Sequence, residues 1–258
     1  MQVIGLCRFS YPAIGGFQVE HDSLEERIAY LYADARMKER FRMLEMVALP
    51  CLRAQTDQNF TLVVVIGNSL PPEHIKRLQE LTADIPQVQI RALPPGNHRQ
   101  VMKEVLNEAR NDLCAPCLQF RHDDDDAVSV DFIERLRQTT TDCHGLIARN
   151  KTLAIDFCKG FTARFEPDGI YATEVHRPYF VAAMGMYIAG GCKQSIMNFA
   201  HQKIARFMPS ITIQDAPMFV RTLNGYNDSR QKNAQEPELI RLTSEQEAEF
   251  EARFAIRV

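Results

Sequence analysis

The chain has 258 residues, 45% of them hydrophobic and 24% charged, with a formal net charge of −3. A chain of this size can bury one large core, and its charge content excludes global disorder. The small negative balance excludes a broad basic field, so no nucleic-acid partner is expected, although a local basic groove for phosphates is compatible with it.

Val3 to Leu6 is a short apolar run ending at Arg8 and Pro12, as a buried first strand does. Ser23-Leu24-Glu25-Glu26 has the form of a helix capping box, with the Ser oxygen facing the amide three residues on. From about Asp34 to Arg53, Met37, Phe41, Leu44, Ala48 and Leu52 recur at helical spacing. Gln58 to Gly67 is a β-branched run of the kind buried on both faces of a parallel sheet. Pro71-Pro72 opens a helix striped by Ile75, Leu78 and Leu81. A strand over Val88 to Leu93, a Pro-Pro-Gly turn, a helix carrying Val101, Val105, Leu106 and Ala109, and a strand from Leu113 to Phe120 follow.

Four consecutive carboxylates, Asp123 to Asp126, come directly after that strand. Beyond them Val130 to Gln138 reads as helix, Leu146 to Phe165 as shorter strands, and 168–229 as a mixed region. A second capping box is expected at Ser244-Glu245-Gln246-Glu247, opening a last helix. Strand–helix alternation at this spacing predicts an α/β fold with parallel pairing through right-handed crossovers. Ligands in such sheets bind beyond the carboxyl ends of the strands, which is where the Asp run falls.

The cysteines, at 7, 51, 114, 117, 143, 158 and 192, are odd in number and sit mostly in apolar surroundings, as a reduced pool would. The stretch before Arg8 is too short for a signal sequence, and no run approaches the roughly 18 apolar residues of a membrane span. The expectation is a cytoplasmic protein with at most peripheral membrane contact, through its acceptor.

Four adjacent carboxylates repel one another unless solvated or neutralised by a cation. Mg²⁺ and Mn²⁺ take oxygen ligands, typically one or two carboxylates plus substrate phosphates. Asp123 and Asp125, one residue apart at a strand end, are placed to approach one such ion, which would bridge protein and diphosphate. The competing reading is a solvated acidic turn with Asp126 capping the next helix. An isoprenoid-synthase Asp-Asp-x-x-Asp is ruled out by Ala127 and Val128. An EF-hand loop is ruled out by the missing central Gly, where Val128 stands. A His-Asp phosphohydrolase pair at His122-Asp123 would need an all-helical scaffold.

Residues 41–81 followed by 119–136 resemble the rhamnosyltransferase-like family of GT-A glycosyltransferases. The resemblance is carried by Cys51-Leu52-Arg53-Ala54-Gln55-Thr56-Asp57 and by Arg121-His122-Asp123-Asp124-Asp125-Asp126. It is strong over about residues 1–136 and remains colinear to about 230. It implies a GT-A-like, Rossmann-like nucleotide-diphospho-sugar transferase fold, with a mixed, mainly parallel sheet flanked by helices. It also implies a nucleotide-sugar donor, a divalent metal at Asp123 and Asp125, and Arg8 near the nucleotide. One position departs: in Asn224-Gly225-Tyr226-Asn227-Asp228-Ser229, Asn224 stands where the family pattern places a His able to supply a later metal contact. A neutral amide oxygen is a poorer ligand for Mn²⁺, though acceptable for Mg²⁺.

Arg99, at a turn-to-helix junction, can hold phosphate or sugar hydroxyls, or can be an exposed Arg. Arg121 can orient a carboxylate, touch the donor, or form a structural ion pair. Asn68 follows the strand VVVIG and reads as a hydrogen-bonding or turn residue. With Arg8 and Asp124 these complete the candidate donor-binding set. A base for the acceptor hydroxyl is required only by an inverting enzyme, and Asp215, Glu174 and His176 are the candidates. Cys114-Ala115-Pro116-Cys117 has zinc or redox spacing but no second ligand pair, and is read as core within the strand.

The chain is therefore expected to be one domain over 1–258. Its nucleotide-sugar-binding half is 1–126, its acceptor-side half 127–230, and its C-terminal helical extension 231–258. The expected reaction moves a sugar from a nucleotide-diphospho-sugar to a glycan or other hydroxyl acceptor, with Mg²⁺ or Mn²⁺. The alternative is a catalytically weak sugar-nucleotide or glycan-binding module on the same fold.

Overall fold

A computed structural model describes residues 1–15, 21–225 and 237–257. The strands are β1 (Gln2–Arg8), β2 (Thr61–Gly67), β3 (Val88–Leu93), β4 (Cys117–Arg121), β5 (Ala127–Val128), β6 (Thr152–Phe157), β7 (Lys159–Glu166), β8 (Gly169–His176), β9 (Met184–Ile188), β10 (Ser210–Ile213), β11 (Phe219–Thr222) and β12 (Ile240–Arg241). The α-helices are α1 (Leu24–Leu31), α2 (Asp34–Met43), α3 (Leu49–Arg53), α4 (Pro72–Thr82), α5 (His98–Glu108), α6 (Phe132–Asp142), α7 (His144–Ile147) and α8 (Ser244–Phe254). Short 3₁₀ turns cover Ile196–Asn198 and His201–Arg206.

A seven-stranded sheet in the order β10-β6-β9-β4-β1-β2-β3 forms the scaffold. Strands β4, β1, β2 and β3 are mutually parallel, while β9 runs antiparallel to both β4 and β6. Period-2 alternation explains why this sheet is covered on both faces. Val3 and Cys7 of β1 with Leu62, Val64 and Ile66 of β2 join one apolar cluster. The intervening Ile4, Leu6, Val63 and Val65 join the cluster on the other side.

A five-stranded sheet, β12-β8-β7-β11-β5, packs beside it. Here β11 pairs antiparallel with β5 (Phe219 opposite Val128) and parallel with β7. Because β5 begins one residue after the Asp run, this pairing carries residues 219–222 to the run. Helix α8 seals the second sheet, with Phe250 5.4 Å and Phe254 6.0 Å from Phe161 by ring centroids.

The expected helix over 34–53 forms, with a π turn over Leu44–Ala48 between α2 and α3. That wider turn falls just before Pro50, whose missing N–H and bulky ring strain a regular helix. The cap of α1 is at Ser23, which accepts from the Glu26 amide as expected. The last capping box lies one residue earlier than the sequence suggests. Thr243, not Ser244, has the extended backbone a cap requires and exchanges bonds with Gln246.

The Leu113 to Phe120 strand is also shorter than expected, beginning at Cys117. The Arg110 guanidinium binds the carbonyls of Leu113 and Ala115 at 3.0 and 2.9 Å, and Pro116 has no N–H for a ladder. Cys114 therefore sits exposed in a turn, while Cys117 alone is core. No helix of the described residues is long and apolar enough to cross a membrane.

Candidate active site

Parallel pairing brings the carboxyl ends of β1, β2, β3 and β4 to one edge. Arg8 ends β1, Asn68 follows β2, His98 and Arg99 open the helix after β3, and Arg121 ends β4. Backbone ties lock these ends together. Asn68 N–H bonds the Leu93 carbonyl at 2.9 Å, His98 N–H the Ile14 carbonyl at 3.1 Å, and His122 N–H the Leu6 carbonyl at 2.9 Å. The Tyr11 hydroxyl donates to the Pro94 carbonyl at 2.7 Å.

The four aspartates diverge. Asp124 is buried and receives the Arg40 Nε at 2.9 Å, with a second guanidinium contact to its other oxygen. Asp125 is also buried, and its Oδ2 accepts from Arg40 at 3.1 Å and from the Asn224 amide nitrogen at 3.0 Å. The Thr222 hydroxyl donates to the Asp125 carbonyl at 2.5 Å. Asp126 accepts from the Thr222 amide at 3.2 Å and pairs with Arg221 at 3.4 Å, so it caps no helix. Asp123 is the one with a substantially exposed side chain, 34% accessible, and Arg121 stands 3.9 Å away.

Burial would raise the Asp123 carboxyl, but the guanidinium groups of Arg121, Arg221, Arg8 and Arg40 outweigh it and hold the carboxyl below the ordinary range. Burial lifts Asp126 to about 8; Arg221 opposes the rise, and Asp125 and Asp123 add to it. The repulsion expected of four adjacent charges is thus relieved by paired arginines and by a proton held in the run. Burial lowers the Arg121 pKa, Asp123 opposes that, and the like charges of Arg8 and Arg99 lower it further. Three guanidinium groups crowded at one strand edge form an anion-seeking surface.

Two imidazoles share this field. Burial first, then Arg8 and Arg121, push His98 down to about 3. His201 is likewise lowered, chiefly by burial and, among the nearby charges, by Arg121 and Arg221, while Asp123 and the Tyr179 carbonyl oppose the fall.

Of the expected donor residues, Arg8 and Arg121 come together around Asp123, and Arg99 stands in the field of Arg121. Asn68 is exposed in the turn after β2, and Asp124 is committed to Arg40. The three base candidates lie elsewhere. Asp215 is exposed and held by both oxygens to Arg135 at 2.8 and 2.7 Å. Glu174 pairs with Lys159 at 3.1 Å, and His176 lies 3.7 Å from Glu174. Both are on β8, separated from β11 by β7, roughly 10 Å across the sheet. Glu174 faces a largely apolar cavity of about 530 Å³ between β8 and α8, lined by Phe161, Leu242 and Phe250.

Sequence reading missed Arg40, Arg221 and His201. Arg40 and Arg221 lie 84 and 95 residues from their carboxylate partners, a distance no local pattern bridges. For Arg40 a signal existed, since it falls on the buried stripe of the helix with Met37 and Phe41.

Among the described residues, no group of three or more His, Cys, Asp and Glu side chains is arranged to hold a metal ion. One partly exposed, ionised carboxylate at Asp123 nonetheless fits a hard cation that draws its other ligands from phosphate and water. Asp125 lies deeper, with Arg40 and Asn224 already on its Oδ2. Tyr226 to Ser229, the rest of the segment that departs from the family pattern, lies outside the described residues.

A 3-2-1-4 run of parallel strands, an antiparallel strand beside it and an acidic turn at the carboxyl edge define a GT-A-like nucleotide-diphospho-sugar transferase fold. The chain belongs to the family described as "Putative rhamnosyl transferase", whose pattern matches residues 2–236. No curated protein matches it. Among solved structures it is similar to Staphylococcus aureus TarS 1–349 in complex with UDP, at 10% identity and TM-score 0.47, over 86% of this chain and 61% of that one. It is also similar to the same protein in complex with UDP-GlcNAc, at 11% identity and TM-score 0.45, over 92% and 62%. The chain thus spans about three fifths of the length of these relatives.

Proposed function

We propose that this chain transfers a hexose, rhamnose by its family label, from a nucleotide-diphospho-sugar to a hydroxyl of a glycan or similar acceptor. The observation that carries this reading is the convergence of Arg8 and Arg121 on the accessible carboxylate of the run, Asp123, with Arg99 beside Arg121, at the carboxyl edge of the parallel strands. Guanidinium groups suit a diphosphate because their paired N–H donors match its oxygens.

Arg8, Arg99 and Arg121 would hold the phosphates and meet the charge that builds on the leaving nucleotide. Asp123, with Asp125 behind it, would hold Mg²⁺ or Mn²⁺, which when bound neutralises the diphosphate. Arg40 and Arg221 keep the rest of the run fixed, so that Asp123 is presented without rearrangement. The acceptor would enter from the 127–230 half.

The test is calorimetric titration with a panel of nucleoside diphosphates, in Mn²⁺, in Mg²⁺ and in chelator. One nucleotide should bind, more weakly to Asp123→Asn and to Arg121→Ala. Folded protein that binds none of the panel under any condition would end the donor-site reading.

A second reading, nucleotide-sugar binding without turnover, is favoured by Asn224, which offers Asp125 an amide donor in place of a metal-binding imidazole. Donor that binds tightly and is never cleaved would select it.

A further inference from the structure

The charges around Asp123 lead to a histidine that no sequence motif marked. His201 is half-buried at the start of the 3₁₀ turn His201–Arg206 and stands in the field of Arg121, Asp123 and Arg221. Its Nδ1 lies 2.6 Å from the Tyr179 carbonyl oxygen. A carbonyl can only accept, so Nδ1 must carry the proton. In a neutral ring Nε2 then has its lone pair bare.

The residue whose carbonyl imposes this tautomer is itself held by two bonds. Tyr179 has φ +56, a left-handed backbone that costs a non-glycine residue on the order of 1 kcal/mol or more. Its amide bonds the buried Asp156 carboxyl, and its hydroxyl pairs with Ser210 Oγ at 3.4 Å. Such a conformation persists only where the surroundings over-determine it, and here it aims one carbonyl at one imidazole.

We propose that His201 accepts the proton of the attacking acceptor hydroxyl, an inference that rests on the donor-site reading above. Asp215 and Glu174 are neutralised by Arg135 and Lys159, and His176 lies beside Glu174 on the second sheet. His98 faces the donor-side arginines and has no partner among the described bonds that fixes its tautomer.

In the proposed step the acceptor oxygen forms its bond to the anomeric carbon while its proton passes to His201 Nε2. The bond from that carbon to the β-phosphate oxygen breaks, and its electron pair leaves with the nucleoside diphosphate toward Arg8, Arg99 and Arg121. The resulting imidazolium keeps Nδ1–H on the Tyr179 carbonyl and returns its extra proton to solvent. Such direct displacement inverts the anomeric centre. The charged groups that act on His201 are Arg121 and Asp123 from the β4 edge and Arg221 from β11; Lys203 and Arg206 lie on its own turn.

Two measurements test this. The first needs no substrate: ¹⁵N NMR of the histidine ring nitrogens at pH 7, assigned with His201→Gln, should show His201 protonated at Nδ1 and bare at Nε2. An Nε2–H tautomer or an imidazolium would overturn the proposal. The second follows nucleoside diphosphate release from dTDP-rhamnose, UDP-glucose and GDP-mannose, with water and with methyl glycosides as acceptors. His201→Ala and His201→Gln should bind the nucleoside diphosphate as the parent does and lose release by on the order of 10²-fold or more. Free imidazole should restore part of it to His201→Ala. Turnover within about threefold of the parent, or a loss traced to donor binding alone, overturns the base role while leaving the donor site standing. A parent protein that binds none of the nucleotides removes the reading on which the inference rests.

Discussion

Arg40 on α2 donates to Asp124 through Nε at 2.9 Å and to Asp125 through Nη1 at 3.1 Å, so one buried guanidinium spans two successive carboxylates of the acidic run. This explains how the run folds inward without a metal at every position. Removing one member of a buried ion pair leaves uncompensated charge in low dielectric, which costs roughly 3–5 kcal/mol. Arg40→Ala should therefore lower stability by about that amount in urea unfolding. Arg40→Lys should recover only part, because an ammonium cannot reproduce the forked contact. A loss in Arg40→Ala below about 1 kcal/mol would show that solvent reaches the run.

Much of the scaffold was legible because it is written in local patterns. The β-branched run 61–67, the Pro-opened helix at 72 and the apolar stripe of 101–109 each declare an element, and parallel alternation places the Asp run at a carboxyl edge. The site was legible only in its contiguous part. Asp123 to Asp126 stand out as a string, but the string does not say that Asp123 alone is substantially exposed or that Arg40, Arg221 and Thr222 partner the others. The Arg221 and Thr222 pairings depend on β11 docking against β5, a contact across some 90 residues, and the Arg40 pairing on α2 reaching the run from 84 residues away. In the sequence the base candidates Asp215, Glu174 and His176 stand on residue type alone. Ion pairing with Arg135 and Lys159, set by tertiary contact, is what draws Asp215 and Glu174 away from that role.

Asn224 presents its amide nitrogen to Asp125 Oδ2 at 3.0 Å and to Thr222 Oγ1 at 3.3 Å. An imidazole there would offer a nitrogen lone pair beside the same carboxylate, a better partner for Mn²⁺ than for Mg²⁺. Asn224→His should tighten Mn²⁺ binding in the presence of a nucleoside diphosphate by on the order of tenfold, about 1.4 kcal/mol. Calorimetric titration of the metal reads this directly. An unchanged Mn²⁺ affinity would place the metal away from Asp125.

Asp156 is fully buried on β6, with Oδ1 lacking a hydrogen-bond partner. Burial raises its carboxyl from the ordinary 3.8 to about 6, against the opposing bonds from Tyr179 and Thr212. Between these values the folded chain keeps a proton that the unfolded chain has released, so this group's contribution to stability falls as pH rises. The contribution is fully present below about pH 4 and is lost by just above pH 6, a difference of about 3 kcal/mol at most. Asp156→Asn cannot titrate and should remove that slope. Urea midpoints at pH 4, 5, 6 and 7 for the two proteins give the comparison, and parallel curves would show that Asp156 titrates in the folded chain as it does in the unfolded one.

Gly160 on β7 has no room for a side chain. A Cβ there would lie 2.5 Å from the backbone oxygen of Phe219 on β11 and 2.6 Å from its ring. The ring could turn aside, but the carbonyl is fixed by the strand. Gly160→Ala must therefore push β11 away from β7, at about 1–3 kcal/mol for overpacking of this kind. The same strand delivers Arg221 to Asp126 and Thr222 to Asp125, so the displacement reaches the acidic run without touching any residue in it. Gly160→Ala should lose both stability and nucleoside diphosphate affinity, whereas Gly145→Ala, in helix α7 where a Cβ meets nothing within 4 Å, should leave the affinity unchanged and lower no stability. Stability lost with affinity intact would mean that Asp123 and the strand-edge arginines hold their geometry independently of β11, and that Arg221 serves the fold alone.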